Sequence, residues 1–256
     1  MSIIRFSVSG SGDPVILLHG FPLNCKMWQN FSGELAKTNK VYTPDLPGFG
    51  KSEPLPDGFS LKDVAQTLLS WMEEQKISKC VLIGHSLGGY IVLHMAELDP
   101  DKFAGIGLFH STALDDSKEK KESRTKVVEF VHKNGAEAFT TNFIEPLFID
   151  RNNASIPAVK KIAGEASAQA VIGYTLAMRD RKNQQEILKL FPRPILFLAG
   201  QQDNGIPVET IKLQSSYCQH PELHILAQSA HMGMYEQFEQ SAEIVKHFTE
   251  VSHSRN

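Results

Sequence analysis

The chain has 256 residues, 41% apolar and 21% charged, which is enough to bury a core and solvate a surface. That composition excludes a disordered chain, a collagen and a coiled coil. The 26 Lys and Arg stand against 29 Asp and Glu, a net charge of −3, so no basic excess is available for phosphates and nucleic acid is not an expected partner.

Three cysteines, Cys25, Cys80 and Cys218, are odd in number, widely spaced and contain no C-x-x-C. They predict neither a disulfide framework nor a thiolate zinc site, but free thiols in a reducing compartment. Residues 1–8 show no charged segment leading into an apolar one, and no apolar run approaches the ~20 residues that span a bilayer. The expectation is a soluble cytoplasmic protein with no membrane partner.

Along the chain, short apolar runs end in Gly, Asp or His: residues 15–18, 41–42, 80–83, 106–109, 195–198 and 223–226. Continuous rather than alternating apolarity predicts strands buried on both faces, as in a parallel sheet. Helical stretches lie between them. Over 61–75, Val64, Leu68, Leu69 and Met72 share a face, with Ser60 as candidate N-cap. The segment 90–98 is apolar and stops before Pro100. Tyr235, Phe238, Ala242, Val245 and Phe248 recur at helical spacing near the end. The pattern predicts a mostly parallel α/β sheet with helices on both faces.

One region breaks the alternation. From 111 to 189 no strand-like run occurs. A helix capped by Asp116 or Ser117 is expected to turn Val127, Val128 and Val131 inward and to end near Gly135. Further helices are expected around 139–147, 157–165 and 168–179. The predicted organisation is a core of residues 1–110 and 190–256, interrupted by a helical cap over 111–189. The charged run 118–124 reads as the solvated face of the first cap helix, not as a binding patch.

Gly84-His85-Ser86-Leu87-Gly88 fits G-x-S-x-G, after a buried strand and before an apolar helix. That context is a sharp strand-to-helix turn that projects a serine hydroxyl from the sheet edge. Glycines are needed because side chains there would collide with backbone. The helix start offers its positive end to a developing oxyanion.

With this turn, four other segments resemble the α/β-hydrolase superfamily, in particular its capped, single-domain esterase, haloperoxidase and meta-cleavage hydrolase branch. They are His19-Gly20-Phe21-Pro22 after an apolar run, Asp45-Leu46-Pro47-Gly48-Phe49-Gly50-Lys51-Ser52, Gly200-Gln201-Gln202-Asp203, and Ala230-His231. The resemblance runs from about residue 14 to 248 and implies an α/β-hydrolase fold. The family's order of nucleophile, acid and base gives Ser86, Asp203 and His231. A serine hydroxyl is a weak nucleophile and needs a base. A histidine supplies one near neutral pH, and a carboxylate fixes its tautomer and stabilises the imidazolium. Some relatives carry the acid after the preceding strand, where Asp115 and Asp116 are the rivals. The oxyanion hole is expected from the backbone N–H groups of Phe21 and Leu87, with Pro22 restricting Phe21 to extended geometry.

Other motifs are set aside. His85 is expected to line the pocket or pack, and His19 to hold its loop. His94 with Glu97, and the segment 220–224, predict no metal. The segment 48–52 is close to a P-loop, but Asp45 stands where the first glycine belongs, so no nucleotide cofactor is expected. A serine elbow separates the chain from the dehalogenase and epoxide-hydrolase branches, which carry Asp there. The expected activity is hydrolysis of a small carboxylic ester or lactone through an acyl-enzyme, without cofactor. Phe139, Phe143, Leu147 and Met178 are candidate pocket walls. Carbon–carbon bond hydrolysis, cofactor-free peroxidation and a ligand-sensing receptor of the same fold are the alternatives.

Overall fold

In the computed structural model, which describes residues 3–254, the apolar runs are strands of one sheet. These are β1 (Phe6–Ser9), β2 (Asp13–Leu18), β3 (Asn39–Pro44), β4 (Cys80–His85), β5 (Phe103–Phe109), β6 (Ile195–Gly200) and β7 (Pro221–Leu226). Their order is β1-β3-β2-β4-β5-β6-β7. β1 runs antiparallel to β3 and every other pair is parallel. β1 was not expected from the sequence. It is a half-exposed edge strand and has no continuous apolar run.

Register explains why the middle positions of the inner strands β2, β4, β5 and β6 are continuously apolar. Ile16, Leu82, Ile106 and Ile195 align across four strands and pack on one face with Val64, Leu68 and Ile91. The next row, Leu17, Ile83, Gly107 and Leu196, points the other way, and its apolar members pack with Trp28, Phe31, Val245 and Phe248. Side chains alternate along a strand, so both rows are buried only because both faces are covered. Each such side chain contributes roughly 1.5–3 kcal/mol of transfer free energy.

The first face is covered by α2 (Leu61–Glu74) and α3 (Leu87–Leu98), the second by α1 (Gln29–Leu35) and α11 (Phe238–Ser254). Ser60 caps α2 as expected, and Asp63 returns the bond to complete a capping box. α3 starts three residues earlier than the apolar run suggested, because Gly88 and Gly89 belong to its first turn. A Cβ on Gly88 would lie 2.6 Å from the Leu18 carbonyl oxygen and one on Gly89 2.3 Å from Ser111 Oγ. Residues of poor helix propensity thus sit in the helix for close approach. Tyr235 belongs to a separate one-turn helix, α10 (Gly233–Glu236).

Between β5 and β6 lie α4 (Lys118–Asn134), α5 (Ala136–Phe143), α6 (Ile156–Ala163), α7 (Ala168–Asp180) and α8 (Gln185–Leu190), with no strand among them. Ser117 caps α4 through its side chain, which accepts from Lys120 N–H, and Gly135 ends it at φ 84°. Of the three valines expected to turn inward, only Val131 is fully buried; Val127 and Val128 are half-buried. α9 (Val208–Ser215) follows β6. No helix among the described residues is long and apolar enough to cross a membrane.

Candidate active site

The carboxyl ends of β4, β5, β6 and β7 bring the candidate residues to one edge of the sheet. At the end of β4, Ser86 has φ 51°, ψ −113°, a backbone conformation that costs a non-glycine residue on the order of 1–3 kcal/mol. The surroundings hold it there. Ser86 N–H donates to the Phe109 carbonyl at 2.9 Å, and Ser111 Oγ–H donates to the Ser86 carbonyl at 2.7 Å. A Cβ on Gly84 would lie 2.2 Å from the Gly88 carbonyl carbon, so the elbow closes only around glycine. Leu87 is the first residue of α3, where amide N–H groups lack intrahelical acceptors. Phe21 and Ser86 line the same cavity, of about 900 Å³.

After β6, Asp203 accepts Gly205 N–H at 2.9 Å and Ile206 N–H at 3.1 Å on Oδ1. Its Oδ2 lies 2.6 Å from His231 Nδ1. A carboxylate accepts, so Nδ1 carries a proton, and in the neutral form of the ring the lone pair is on Nε2. Burial pushes the Asp203 carboxyl up, but the charge and hydrogen bond of His231, with smaller help from His110 and Gly205 N–H, hold it well below the usual carboxylate range. Ser86, Asp203 and His231 all line the cavity. The rival acids lie elsewhere. Asp115 is exposed and pairs with Lys121 at 3.6 Å. Asp116 is buried between Arg124, whose Nε bonds its Oδ2, and Arg181, 2.8 Å from its Oδ1.

The remaining histidines of this edge are structural. His19 Nδ1–H donates to the Gly20 carbonyl at 3.0 Å and its Nε2 accepts Leu46 N–H at 2.9 Å, which holds the loop as expected. Asp45, the residue that argued against a P-loop, accepts Cys25 N–H at 2.8 Å and Lys51 N–H at 3.0 Å. His85 packs rather than lining the cavity: it is 1% exposed, and its Nε2–H donates to the His231 carbonyl at 2.9 Å. Burial, then the charges of His231 and His110, lower its pKa well below the ordinary 6.5.

Sequence reasoning missed two supports of this site. His110, at φ 48° and 1% exposed, lies with Nδ1 3.0 Å from Gly200 N–H and Nε2 3.0 Å from Gly233 N–H. It thus lies between the end of β6 and the loop after His231. A neutral ring accepts only one of these bonds, as its tautomer selects. Glu236 Oε2 accepts Ala230 N–H at 2.9 Å and Ser229 Oγ–H at 3.1 Å, which anchors the turn that presents His231. Neither residue stands in a motif.

The helices between β5 and β6 close the cavity. Phe139, Phe143, Leu147 and Met178 line it as expected. The His231 N–H donates to the Leu147 carbonyl at 2.9 Å, so this segment also contacts the loop of His231. The charged run 118–124 departs from expectation. Lys118, Glu119 and Glu122 are solvated, but Lys120, Ser123 and Arg124 line the cavity. Successive residues of a helix point 100° apart, so positions i, i+3 and i+4 turn inward while the rest face water. Among the described residues no group of three or more His, Cys, Asp or Glu is placed to hold a metal ion.

A family model described as the alpha/beta hydrolase fold matches residues 13–238. The chain belongs to the α/β-hydrolase family. A thermophilic esterase from Thermogutta terrifontis superposes on this α/β hydrolase with a TM-score of 0.93 at 29% identity, over 98% of this chain and 94% of that one. The 2-hydroxymuconate semialdehyde hydrolase of Pseudomonas sp. (strain CF600) is 26% identical over 94% of this chain and 88% of its own. The dihydrolipoyllysine-residue acetyltransferase component of the acetoin cleaving system of Pseudomonas putida is also 26% identical, over 92% of this chain. This hydrolase spans only 63% of that protein's length.

Proposed function

We propose that this α/β hydrolase cleaves a small carboxylic ester or lactone through Ser86, His231 and Asp203. The observation that carries the reading is the 2.6 Å contact of His231 Nδ1 with Asp203 Oδ2 in the cavity that Ser86 lines. The likeness to an esterase over nearly the whole chain supports it.

In the proposed sequence His231 Nε2 takes the Ser86 proton as Oγ attacks the carbonyl carbon. The tetrahedral oxyanion is held by the N–H groups of Phe21 and Leu87 and by the positive end of α3. The intermediate expels the alcohol, which takes the proton from His231. Water, deprotonated by His231, then attacks the acyl-enzyme; the acid leaves and Ser86 regains its proton. Asp203 stabilises the imidazolium in both halves. The helices over 111–189 act as a lid that excludes water and limits the acyl group. Free thiols at Cys25, Cys80 and Cys218 suit a reducing, cytoplasmic setting.

Ser86→Ala is expected to abolish hydrolysis of a p-nitrophenyl short-chain ester while the circular dichroism spectrum is kept. A serine-directed phosphonate is expected to label Ser86 alone in the native protein. Undiminished turnover by the variant would sink the assignment.

A further inference from the structure

The cavity around Ser86 is lined by charges of mainly one sign. Lys120, Arg124 and Arg151 face Asp203, the one carboxylate among its described lining residues, and that carboxylate is already engaged by His231. Lys120 and Arg124 stand four residues apart on one face of α4. Both are drawn to Asp116, whose side chain is fully buried: Arg124 bonds it through Nε, and Lys120 Nζ lies 4.0 Å from Oδ1. Arg181, 4% exposed at its side chain, places Nη1 2.8 Å from the same Oδ1 as an ion pair. One carboxylate thus meets three cations and cannot neutralise them all, and two of the three, Lys120 and Arg124, line the cavity. The bond to Asp116 uses only Nε of Arg124. The four terminal N–H donors of its guanidinium have no carboxylate partner among the described residues. Lys120 Nζ–H donates to the Gly205 carbonyl at 3.3 Å, which places it against the loop of Asp203.

A different part of the lining is apolar. Phe21, Phe139 and Phe143 stack around one another, with ring centroids 5.1–6.1 Å apart. A neutral ester would use the aromatic wall and leave the cations facing water. A guanidinium fork matches a planar carboxylate, and a charge-assisted bond in a partly closed cavity is stronger than one at a free surface.

We propose that the substrate carries a free carboxylate besides its scissile ester, as in the half-ester of a dicarboxylic acid, and that Arg124 and Lys120 hold it. The proposal rests on the serine-hydrolase reading above and names its substrate class.

The test compares the p-nitrophenyl half-ester of glutaric acid with p-nitrophenyl pentanoate, which replaces the free carboxylate by a methyl group. The native protein is expected to favour the half-ester in kcat/KM. Arg124→Gln and Lys120→Gln are each expected to lower that preference about 10- to 100-fold, chiefly through KM, as loss of a charged hydrogen bond implies. Arg124→Lys should restore part of it. Lys120→Gln leaves both guanidinium partners of Asp116 in place, so the test survives if Arg124→Gln fails to fold. An unchanged preference in Lys120→Gln and a folded Arg124 variant, or an equal fall on both esters, would overturn the proposal. Calorimetry with glutarate on the Ser86→Ala protein separates the two readings. Glutarate binding that is lost on adding Lys120→Gln, without turnover of either ester by the native protein, retains the carboxylate site and removes the esterase. Turnover of the pentanoate with no glutarate binding and no preference for the half-ester removes the carboxylate site alone.

Discussion

Asp203 and Asp116 are both buried carboxylates, yet their partners commit them to different work. Two backbone N–H groups fix Oδ1 of Asp203 and leave Oδ2 to His231, so its charge is aimed at that imidazole. Asp116 is consumed by Arg124 and Arg181. Asp203→Asn is therefore expected to lower kcat by about 10³ to 10⁴, because an amide neither selects the working tautomer of His231 nor stabilises its cation. Asp116→Asn is expected to act on stability instead. It leaves Arg181, nearly fully buried, against a neutral group, and loss of one partner of a buried pair costs about 3–5 kcal/mol. Ester kinetics and urea denaturation of both variants make the comparison. A stable Asp116→Asn protein with crippled kcat would move the acid to the end of β5.

At the scale of the element, α5 and α7 contribute walls to the cavity that Ser86 lines. Phe143 of α5 and Met178 of α7 line the cavity and belong to none of the groups proposed to react. Phe143 packs edge-on against Phe21, whose N–H is proposed to hold the oxyanion, at 5.7 Å between centroids. Shortening either side chain opens space without altering Ser86, Asp203 or His231. Phe143→Ala and Met178→Ala are expected to shift preference among neutral p-nitrophenyl esters toward longer acyl chains, by roughly 1–3 kcal/mol per methylene at most. Phosphonate labelling of Ser86 should persist. The measurement is kcat/KM across a series of acyl lengths, and superimposable profiles would remove both residues from the acyl pocket.

The whole molecule carries several imidazoles where water does not reach, and this sets its response to acid. Burial lowers His19 from its ordinary 6.5 to about 4, against opposing help from the Gly20 carbonyl. Burial and the charge of His231 lower His110 to about 3. Above pH 6.5 these rings are neutral in both folded and unfolded chains and pH changes nothing through them. Below it the unfolded chain takes up protons that the native state refuses, so stability falls as pH falls. The slope is about 1.4 kcal/mol per pH unit for each ring, about 3 for the two, down to about pH 4. Asp203, held low, contributes in full above its ordinary 3.8 and loses that contribution only at lower pH. Urea denaturation at stepped pH is expected to give near-constant stability between pH 7 and 8 and a steep loss from 6 to 4. A flat profile down to pH 4 would mean that the rings protonate freely in the native state.

What the sequence by itself determined is local and periodic. The inner strands are legible because burial on both faces favours continuous apolar runs, as in residues 80–83 and 195–198. The Ser60 cap and the glycines around Ser86 are legible because a turn constrains its own few residues. The edge strand Phe6–Ser9 is not, since one solvated side erases the apolar run. Ser86, Asp203 and His231 could be named as candidates by motif and family resemblance, but that they line one cavity is a tertiary fact. His231 and Asp203 are 28 residues apart in sequence and 2.6 Å apart in space. His110 reaches Gly233 across 123 residues. The meaning of the charged run 118–124 was also decided tertiarily. Its composition is that of a solvated face, and only the packing of α4 against α7 and α5 brings Lys120 and Arg124 to the cavity that Ser86 lines. Periodicity tells which residues share a face of a helix. Which face meets the site depends on strand order and on the loops at the carboxyl edge, and those are settled by contacts between residues far apart in the chain.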